Sequence, residues 1–480
     1  MAKVIQIGVK TKQSVVFYLV FAVVGPLFAD LFVILQPIMK MMTFGRIGLR
    51  ALVSAVMILT LLFSSPLKAQ VITPVDPDET IVSDDDDNND DADPDTLVPD
   101  SVVADTALAK LPWDQAVQAK LNRLLESDMF KTSQVGMMVY DLDADSVVFA
   151  HGERQTLRPA STMKVITAIT AIDKLGGSYQ FKTELKYTGK IENHTLSGGV
   201  YCVGGFDPRF NSDDLSAFVT SLKEMGVDTI CGTLFADTSM KDADRLGEGW
   251  CWDDKNPVLS PLLISRRDEF MDRFVRRLRQ DSIVVTASVL NGRAPYGAYS
   301  VCTRFHTLDQ ILMRMLKESD NLYAESMFYQ TAASTGNRPA SAKSARAVTG
   351  QLVRKLGLDP ARYRFADGSG LSLYNYVTAE LEVMMLRYAY RNNNIYVHLY
   401  PALPIAGVDG TLKKRMRGSF TSGNVHAKTG TVSGISSLAG YCTASTGHRL
   451  AFSIINQGVM HRKNGRAFQD RVCTILCSPH

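Results

Sequence analysis

Short apolar runs from Met137 to Tyr140 and from Val147 to His151 flank the polar stretch Asp141-Leu142-Asp143-Ala144-Asp145, a pattern that predicts two strands joined by a turn. Thr162 to Leu175 is apolar nearly all round, which predicts a helix buried on every side, whereas Asp213 to Met225 carries a one-sided amphipathic pattern. Strand and helix signals mix from Phe181 to Ser288. Helical periodicity returns from Leu308 to Tyr329 and from Thr378 to Arg391. Leu438 to Thr443 and Arg449 to Asn456 then read as paired strands, followed by a closing helix from about Gly465. Helices flanking a mostly antiparallel sheet predict an α+β architecture, with order beginning near Leu111 and no internal repeat.

Composition adds little until it is read by region. The chain of 480 residues is 46% hydrophobic and 21% charged, ordinary for a globular protein, and its net charge of +3 conceals three regimes. Residues 1–70 hold seven Lys or Arg against one Asp, residues 71–108 hold thirteen Asp or Glu and no Lys or Arg, and residues 109–480 carry a net +10. Arg46 and Arg50 precede the apolar run Ala51 to Phe63, and Leu67-Lys68-Ala69 offers a small residue for cleavage before Gln70, the pattern of an export signal. Upstream, Val15 to Met39 is apolar but interrupted by Pro26, Asp30 and Pro37, which leaves either initiation at Met41 or Met42 or an additional membrane segment. Residues 71–108 lack aromatics and include four consecutive Asp from Asp84 to Asp87, so they predict a solvated tether that buries no core; the central Gly and spaced ligands of a calcium loop are missing. The seven cysteines, an odd number, show no zinc-site spacing and read as buried or disulfide residues; no metal is assigned.

Three short motifs suggest chemistry. Ser161-Thr162-Met163-Lys164 opens the buried helix after Pro159-Ala160, and positions i and i+3 share a helix face, so the amine can reach the hydroxyl and take its proton. The pair alone means little, since Ser65-Pro66-Leu67-Lys68 repeats it in the presumed signal. Ser319-Asp320-Asn321 falls where an amphipathic helix meets the segment Leu322 to Gln330, a place that pushes short polar side chains into a cleft. Ser422-Gly423-Asn424 is similar but reads better as a turn. Lys428-Thr429-Gly430 occurs once and leads into the final strands. On an edge strand such a lysine offers a cation for a carboxylate, the threonine a hydroxyl, and the glycine room for a substrate backbone.

In this order the three motifs are the signature set of penicillin-binding proteins and β-lactamases, and from about Leu111 to the end the chain resembles the D-alanyl-D-alanine carboxypeptidase/endopeptidase family, the low-molecular-mass class C penicillin-binding proteins of serine peptidase family S13. Further similar stretches are Gly204 to Pro208, Gly232 to Asp237, Gly249 to Asp254, Asp367 to Ser372 and Pro404 to Gly410. The resemblance implies a penicillin-binding, β-lactamase-like domain formed by residues 109–176 and 290–480, with residues 177–289 as an inserted, abridged second domain. It implies Ser161 as the acylated nucleophile, Lys164 as its proton acceptor, Ser319 and Asn321 as proton relay and amide holder, and Lys428 with Thr429 as the carboxylate site. The N–H groups of Ser161 and Thr431 would form the oxyanion hole beside Gly430, and Asp254 would contact the stem-peptide side chain. Where the family often places an arginine after the Asp367 to Ser372 stretch, this chain has Leu373. The implied partners are peptidoglycan stem peptides and β-lactam inhibitors, with no cofactor and no nucleic acid, in an exported, periplasmic setting. A secreted serine β-lactamase and a non-catalytic wall-binding protein are the rival readings; the long insert and the Gly249-Trp250-Cys251-Trp252 stretch weigh against the first, and three intact motifs against the second.

Overall fold

The computed structural model describes residues 111–479 apart from Asp254 and Asn337; the expected export signal, the acidic segment and Asp254 lie outside the described residues. Helix α1 (Trp113–Leu125) precedes strands β1 (Gln134–Asp141) and β2 (Ser146–His151), and helix α2 (Met163–Leu175) follows. Next come β3 (Gln180–Tyr187), β4 (Lys190–Glu192), β5 (Thr195–Val203), α3 (Ser212–Glu224), β6 (Thr229–Asp237), α4 (Phe270–Gln280), β7 (Val284–Val285), β8 (Ser288–Asn291) and β9 (Tyr299–Thr307). Five helices, α5 (Leu308–Lys317), α6 (Asn321–Ala333), α7 (Ala342–Lys355), α8 (Ala379–Arg391) and α9 (Asn393–Ala402), lead to β10 (His426–Val432), β11 (Ile435–Thr443), β12 (Arg449–Gln457) and the final helix α10 (Arg462–Cys477).

Two sheets organise these elements. The first is antiparallel, in the order β10-β11-β12-β1-β2, so the two ends of the chain meet in its middle where β1 pairs with β12. One face packs on α1 and α10 through Val117, Leu121, Phe452, Ile454, Phe468 and Val472. The other face, with Ala439, Tyr441, Ala451 and Ile455, covers α2 and α8. Buried thus between sheet and helices, α2 has no residue from Met163 to Ile172 that reaches solvent, which is why its sequence is apolar all round. The second sheet has seven strands of mixed sense: β3 pairs antiparallel with β5 and β9, whereas β6 runs parallel to β5, β7 and β8. It closes its own core with α3 and α4, centred on Phe210, Phe218, Phe270 and Phe274. Parallel pairing in this sheet follows from the crossover helices α3 and α4, each of which returns the chain to the starting edge.

Local chemistry explains the joints. At the first hairpin the Asp141 carboxylate accepts the N–H groups of Asp143 and Ala144, at 2.9 and 2.8 Å, and so stands in for the missing backbone turn bonds. The helical periodicity from Leu308 to Tyr329 divides into two helices at the Ser319 motif, because Ser319 adopts a left-handed φ of +58° and Asp320 starts α6 as its N-cap by accepting the Tyr323 N–H. Four helices had no counterpart in the sequence reading: α1, α4, α7 and α9. In α4 Phe270, Phe274 and Leu278 are buried at helical spacing with arginines on the opposite side, an amphipathic pattern that the sequence carries but that is merged into the mixed region from Phe181 to Ser288. Strand β10 is an edge strand; its N-terminal half is covered by Pro404 and Ile405, with the Ala427 N–H bonded to the Pro404 carbonyl and a bridge between Ile405 and His426. All seven cysteines are free thiols, and Cys442, Cys473 and Cys477 are buried together in the core under α10.

Glu382 is a charged-type side chain in the middle of this packing. It sits on α8 against the first sheet, fully buried, where its Oε2 accepts the Ser453 hydroxyl at 2.7 Å and its Oε1 has no partner. Burial raises its pKa from 4.5 to about 7 against the opposing effect of that hydroxyl. Between those two values the folded protein retains a proton that the unfolded chain has released, so stability from this group is greatest below pH 4.5 and falls as pH rises to about 7. The full difference is about 3 kcal/mol. Glu382→Gln should therefore gain on the wild type in melting temperature from pH 5 to pH 8; a gap that stays constant over that range in scanning fluorimetry would show that Glu382 does not titrate as described.

Candidate active site

Ser161 lies in the single turn Ala160–Thr162 that precedes α2, and Lys164 stands one turn later on the same face. The turn is strained: Ala160 has a φ of +48°, a conformation that costs a non-glycine residue about 1 kcal/mol or more. Its carbonyl is hemmed in by Gly370, φ +83°, where a Cβ would come within 1.8 Å of the Ala160 oxygen. Only glycine fits there, so the loop after Asp367 presses directly on the turn that carries Ser161.

Lys164 is fully buried and its Nζ meets three oxygens from three parts of the chain: Ser161 Oγ at 2.9 Å, Asn321 Oδ1 at 2.7 Å and the Ser369 carbonyl at 2.9 Å. Asn321 is the first residue of α6. Its neighbour Asp320 points away, bonded to Arg266 and, at 3.0 Å, to Arg314, while accepting the Tyr323 N–H. The kink at Ser319 thus sends Ser319 and Asn321 inward and Asp320 outward. Ser319 Oγ accepts from Lys428 Nζ at 2.9 Å, and Lys428, also buried, donates to the Thr429 carbonyl at 2.8 Å. The three sequence motifs therefore form two lysine-centred contacts, Lys164 with Ser161 and Asn321, and Lys428 with Ser319.

Strand β10 forms the opposite wall. Thr429 Oγ1 donates to Thr411 Oγ1 at 2.8 Å. At Gly430 a Cβ would stand 2.9 Å from the Ser161 nitrogen and 2.7 Å from the Pro159 carbonyl, so the strand can lie this close to the nucleophile's backbone only with glycine. Thr431 is half-buried next along the strand. Ser437, on β11, donates to the Pro159 carbonyl and locks the turn from beneath.

Sequence reasoning did not find the support behind Lys164. Glu325, one turn after Asn321 on α6 and buried, accepts the N–H groups of Gly368 at 3.1 and 3.2 Å and of Ser369 at 2.8 Å, fixing the peptide whose carbonyl receives Lys164. Burial, and then the nearby Asp367 carboxylate, hold its pKa well above the usual carboxylate range. Asp367 is satisfied in turn by the N–H groups of Gly370 and Ser372, by Asn375 and by the Trp250 indole at 2.8 Å. The i+4 spacing from Asn321 to Glu325 was the available signal, an acid inside the otherwise uncharged α6. Leu373 is exposed at the rim, and Arg158 donates to its carbonyl at 2.9 Å. Ser422-Gly423-Asn424 forms a turn held by Asn424 bonds to the Phe420 and Thr443 carbonyls, away from these contacts. Among the described residues no group of three or more His, Cys, Asp or Glu is placed to hold a metal, and Asp254 is outside them.

A buried amine beside a hydroxyl, backed by fixed carbonyls and facing an edge strand, is an arrangement for acyl transfer to serine. Comparisons with known proteins agree. The model of the D-Ala-D-Ala carboxypeptidase 3 (S13) family matches residues 117–263 and 264–477. The chain is 27% identical over 407 residues to the D-alanyl-D-alanine carboxypeptidase DacB of Haemophilus influenzae, covering 67% of this chain and 84% of that protein. It is 27% identical over 457 residues to a D-alanyl-D-alanine carboxypeptidase of an Actinomadura species, covering 74% and 83%. In fold it is similar to the crystal structure of penicillin binding protein 4 from Haemophilus influenzae, with a TM-score of 0.68 at 24% identity over 73% of this chain and 98% of the other. Together, the penicillin-binding fold, the two lysine-centred contacts and a family match running nearly the whole described length show that the chain belongs to the D-Ala-D-Ala carboxypeptidase 3 (S13) family.

Proposed function

We propose that this chain cleaves the terminal D-Ala-D-Ala bond of peptidoglycan stem peptides through an acyl-enzyme on Ser161, and that penicillin acylates the same oxygen. The observation that carries this reading is the set of contacts at Lys164. Lys164 Nζ stands 2.9 Å from Ser161 Oγ while Asn321 Oδ1 and the Ser369 carbonyl hold it in place, so in its neutral form the amine is positioned to take the Oγ proton. As Oγ attacks the carbonyl carbon of the penultimate D-alanine, its proton passes to Lys164 Nζ, and the carbonyl oxygen gains negative charge between the Ser161 and Thr431 N–H groups. Collapse expels the terminal D-alanine nitrogen, which takes up through Ser319 the proton that Lys164 received, leaving the amine neutral to accept a proton from the incoming water and return it to Ser161 Oγ. Water then attacks the ester, releasing the shortened peptide and restoring the Ser161 hydroxyl.

The remaining residues fit around this step. Asn321 holds both Lys164 and the substrate amide. Lys428, buried behind Ser319, contributes its charge to the region that receives the substrate's terminal carboxylate, while the Thr429 hydroxyl, turned from Thr411 to the substrate, supplies a direct donor. Gly430 gives the peptide backbone room along β10. Arg46 and Arg50 ahead of the apolar run Ala51 to Phe63 support export, and a substrate in the cell wall is consistent with a periplasmic setting. Asp254 remains our candidate for contact with the stem-peptide side chain.

Ser161→Ala and Lys164→Ala should each lower both fluorescent-penicillin labelling and D-alanine release by at least ~10⁴-fold, since nucleophile and base act as one unit. Labelling that survives in Ser161→Ala would remove the assignment, and fast nitrocefin turnover by the wild type would point to a β-lactamase instead. Glu325→Ala leaves the Gly368 and Ser369 N–H groups unpaired in the core, which should cost about 3 kcal/mol of stability and slow acylation by roughly 10- to 100-fold. Glu325→Gln, which keeps one acceptor oxygen, should fall between the two. Denaturant midpoints together with stopped-flow acylation rates check this; acylation at the wild-type rate in a destabilised Glu325→Ala protein would separate Glu325 from the placement of Lys164.

A further inference from the structure

A second cleft, sharing no side chain with the motif residues around Ser161, opens between the seven-stranded sheet and the C-terminal end of α6 and has a volume of about 1000 Å³. Strand periodicity brings Lys182, Glu184 and Lys186 of β3 to one face, which forms its floor. The segment from Arg293 to Ala298 forms the rim, and Gln330 with Arg338 closes one end.

This surface is built and held in place. Buried Asp237 accepts the Ala294 N–H at 2.8 Å and the Ser239 N–H at 3.0 Å, and the Gly292 N–H bonds to the Ala236 carbonyl, which together fix the rim. Gln330 accepts the Tyr179 hydroxyl at 2.7 Å and donates to the Gly205 carbonyl, tying α6 to the edge of the sheet. Both acids of the cleft are engaged, Asp237 by backbone N–H groups and Glu184 by Lys186 at 3.2 Å. Three cations are left over. The side chains of Lys182, Arg293 and Arg338 are exposed and make no ion pair or hydrogen bond among the described residues. A concave surface with three unpaired cations and fixed walls suits a ligand with several carboxylates, for which guanidinium groups offer matching paired donors.

Position narrows the choice of ligand. Gln330 lies nine residues beyond Asn321 on α6, about 14 Å along the helix axis and about two and a half turns on, so the cleft opens on the side of α6 opposite the Lys164 contacts. A peptide seated in the cleft is therefore a neighbour of the one at Ser161 and not its continuation. Resting on the function proposed above, we propose that this cleft is a second peptidoglycan-binding site that holds the carboxylate-bearing stem peptide of an adjoining strand while a D-Ala-D-Ala end occupies the Ser161 site. It would act on polymeric and cross-linked wall and be idle on small peptides.

The test uses the full chain carrying Lys182→Ala, Arg293→Ala and Arg338→Ala together, with Arg293→Glu alone as a second variant. Turnover of a soluble diacetyl-lysyl-D-Ala-D-Ala peptide should stay within about twofold of wild type, showing that both variants fold. Co-sedimentation with purified peptidoglycan sacculi should weaken by about tenfold or more in the triple variant and lose much of its salt dependence. Sacculi stripped of their stem peptides by an amidase should bind the wild type as weakly as intact sacculi bind the triple variant. Unchanged binding of the variants to intact sacculi, equal binding of the wild type to stripped sacculi, or a parallel loss on the soluble peptide would each overturn the inference. Repeating the sedimentation in a Ser161→Ala background separates this claim from the catalytic one, because dependence on the three cations should persist there even if Ser161 has another role.

Discussion

The amine of Lys164 is the group on which the rest of the catalytic cleft depends. A buried lysine nitrogen needs partners, whatever its charge, and an unmade hydrogen bond in the interior costs more than a made one contributes. Its three oxygens come from the turn before α2, from the first residue of α6 and from the Gly368–Ser369 loop, segments separated by 157 and 205 residues from Lys164 itself. Meeting that requirement forces the turn, the helix junction and the loop to converge. Each is then held from behind: the turn by Ser437, α6 by the grip of Arg266 and Arg314 on Asp320, and the loop by Glu325. The site is held because each of these three oxygens belongs to a segment anchored elsewhere.

Strain is placed where this convergence needs it. Ala160 and Ser319, the residues at the entrances to the two helices of the site, both have left-handed backbone, at φ +48° and +58°. Neither is glycine, so the surrounding packing carries the cost. What the strain achieves is direction: it aims Ser161 at Lys164, and it splits Ser319 and Asn321 from Asp320 so that neighbours in sequence face opposite ways. The same logic places Gly370 and Gly430 against Ala160 and Ser161, where any side chain would push the nucleophile out of line.

How far the sequence was legible follows from the range of each interaction. Ser161 with Lys164 is a contact three residues long, and spacing alone suggested it. Strands β1, β11 and β12 and the buried helix α2 were visible as unbroken apolar runs, short in the strands and long in the helix. The motif at Ser319 was seen where one helical segment meets the next, but its left-handed backbone was not, since such a conformation in a non-glycine residue has no local signature. The clamp of Glu325 on Gly368 and Ser369 spans 43 and 44 residues, and nothing in composition or period links an acid on a helix to N–H groups on a distant loop. The mixed sense of the second sheet was illegible for a related reason: strand direction depends on which way connections such as α3 and α4 cross the sheet, and a helix's own period does not say that.

Strand β10 stands at the border of its sheet, and half of it is sealed by Pro404 and Ile405. An uncapped border is a hazard, because its free amide and carbonyl row can recruit any extended chain and seed aggregates. Here the open stretch is confined to the few residues from Lys428 to Val432, against which the turn at Ser161 rises like a wall. A short peptide end can slide in as a temporary extra strand, but a second copy of the protein cannot dock its own border along so brief and crowded a ledge. The feature that lets a peptide in as an extra strand thus also shortens the border left open to chance pairing.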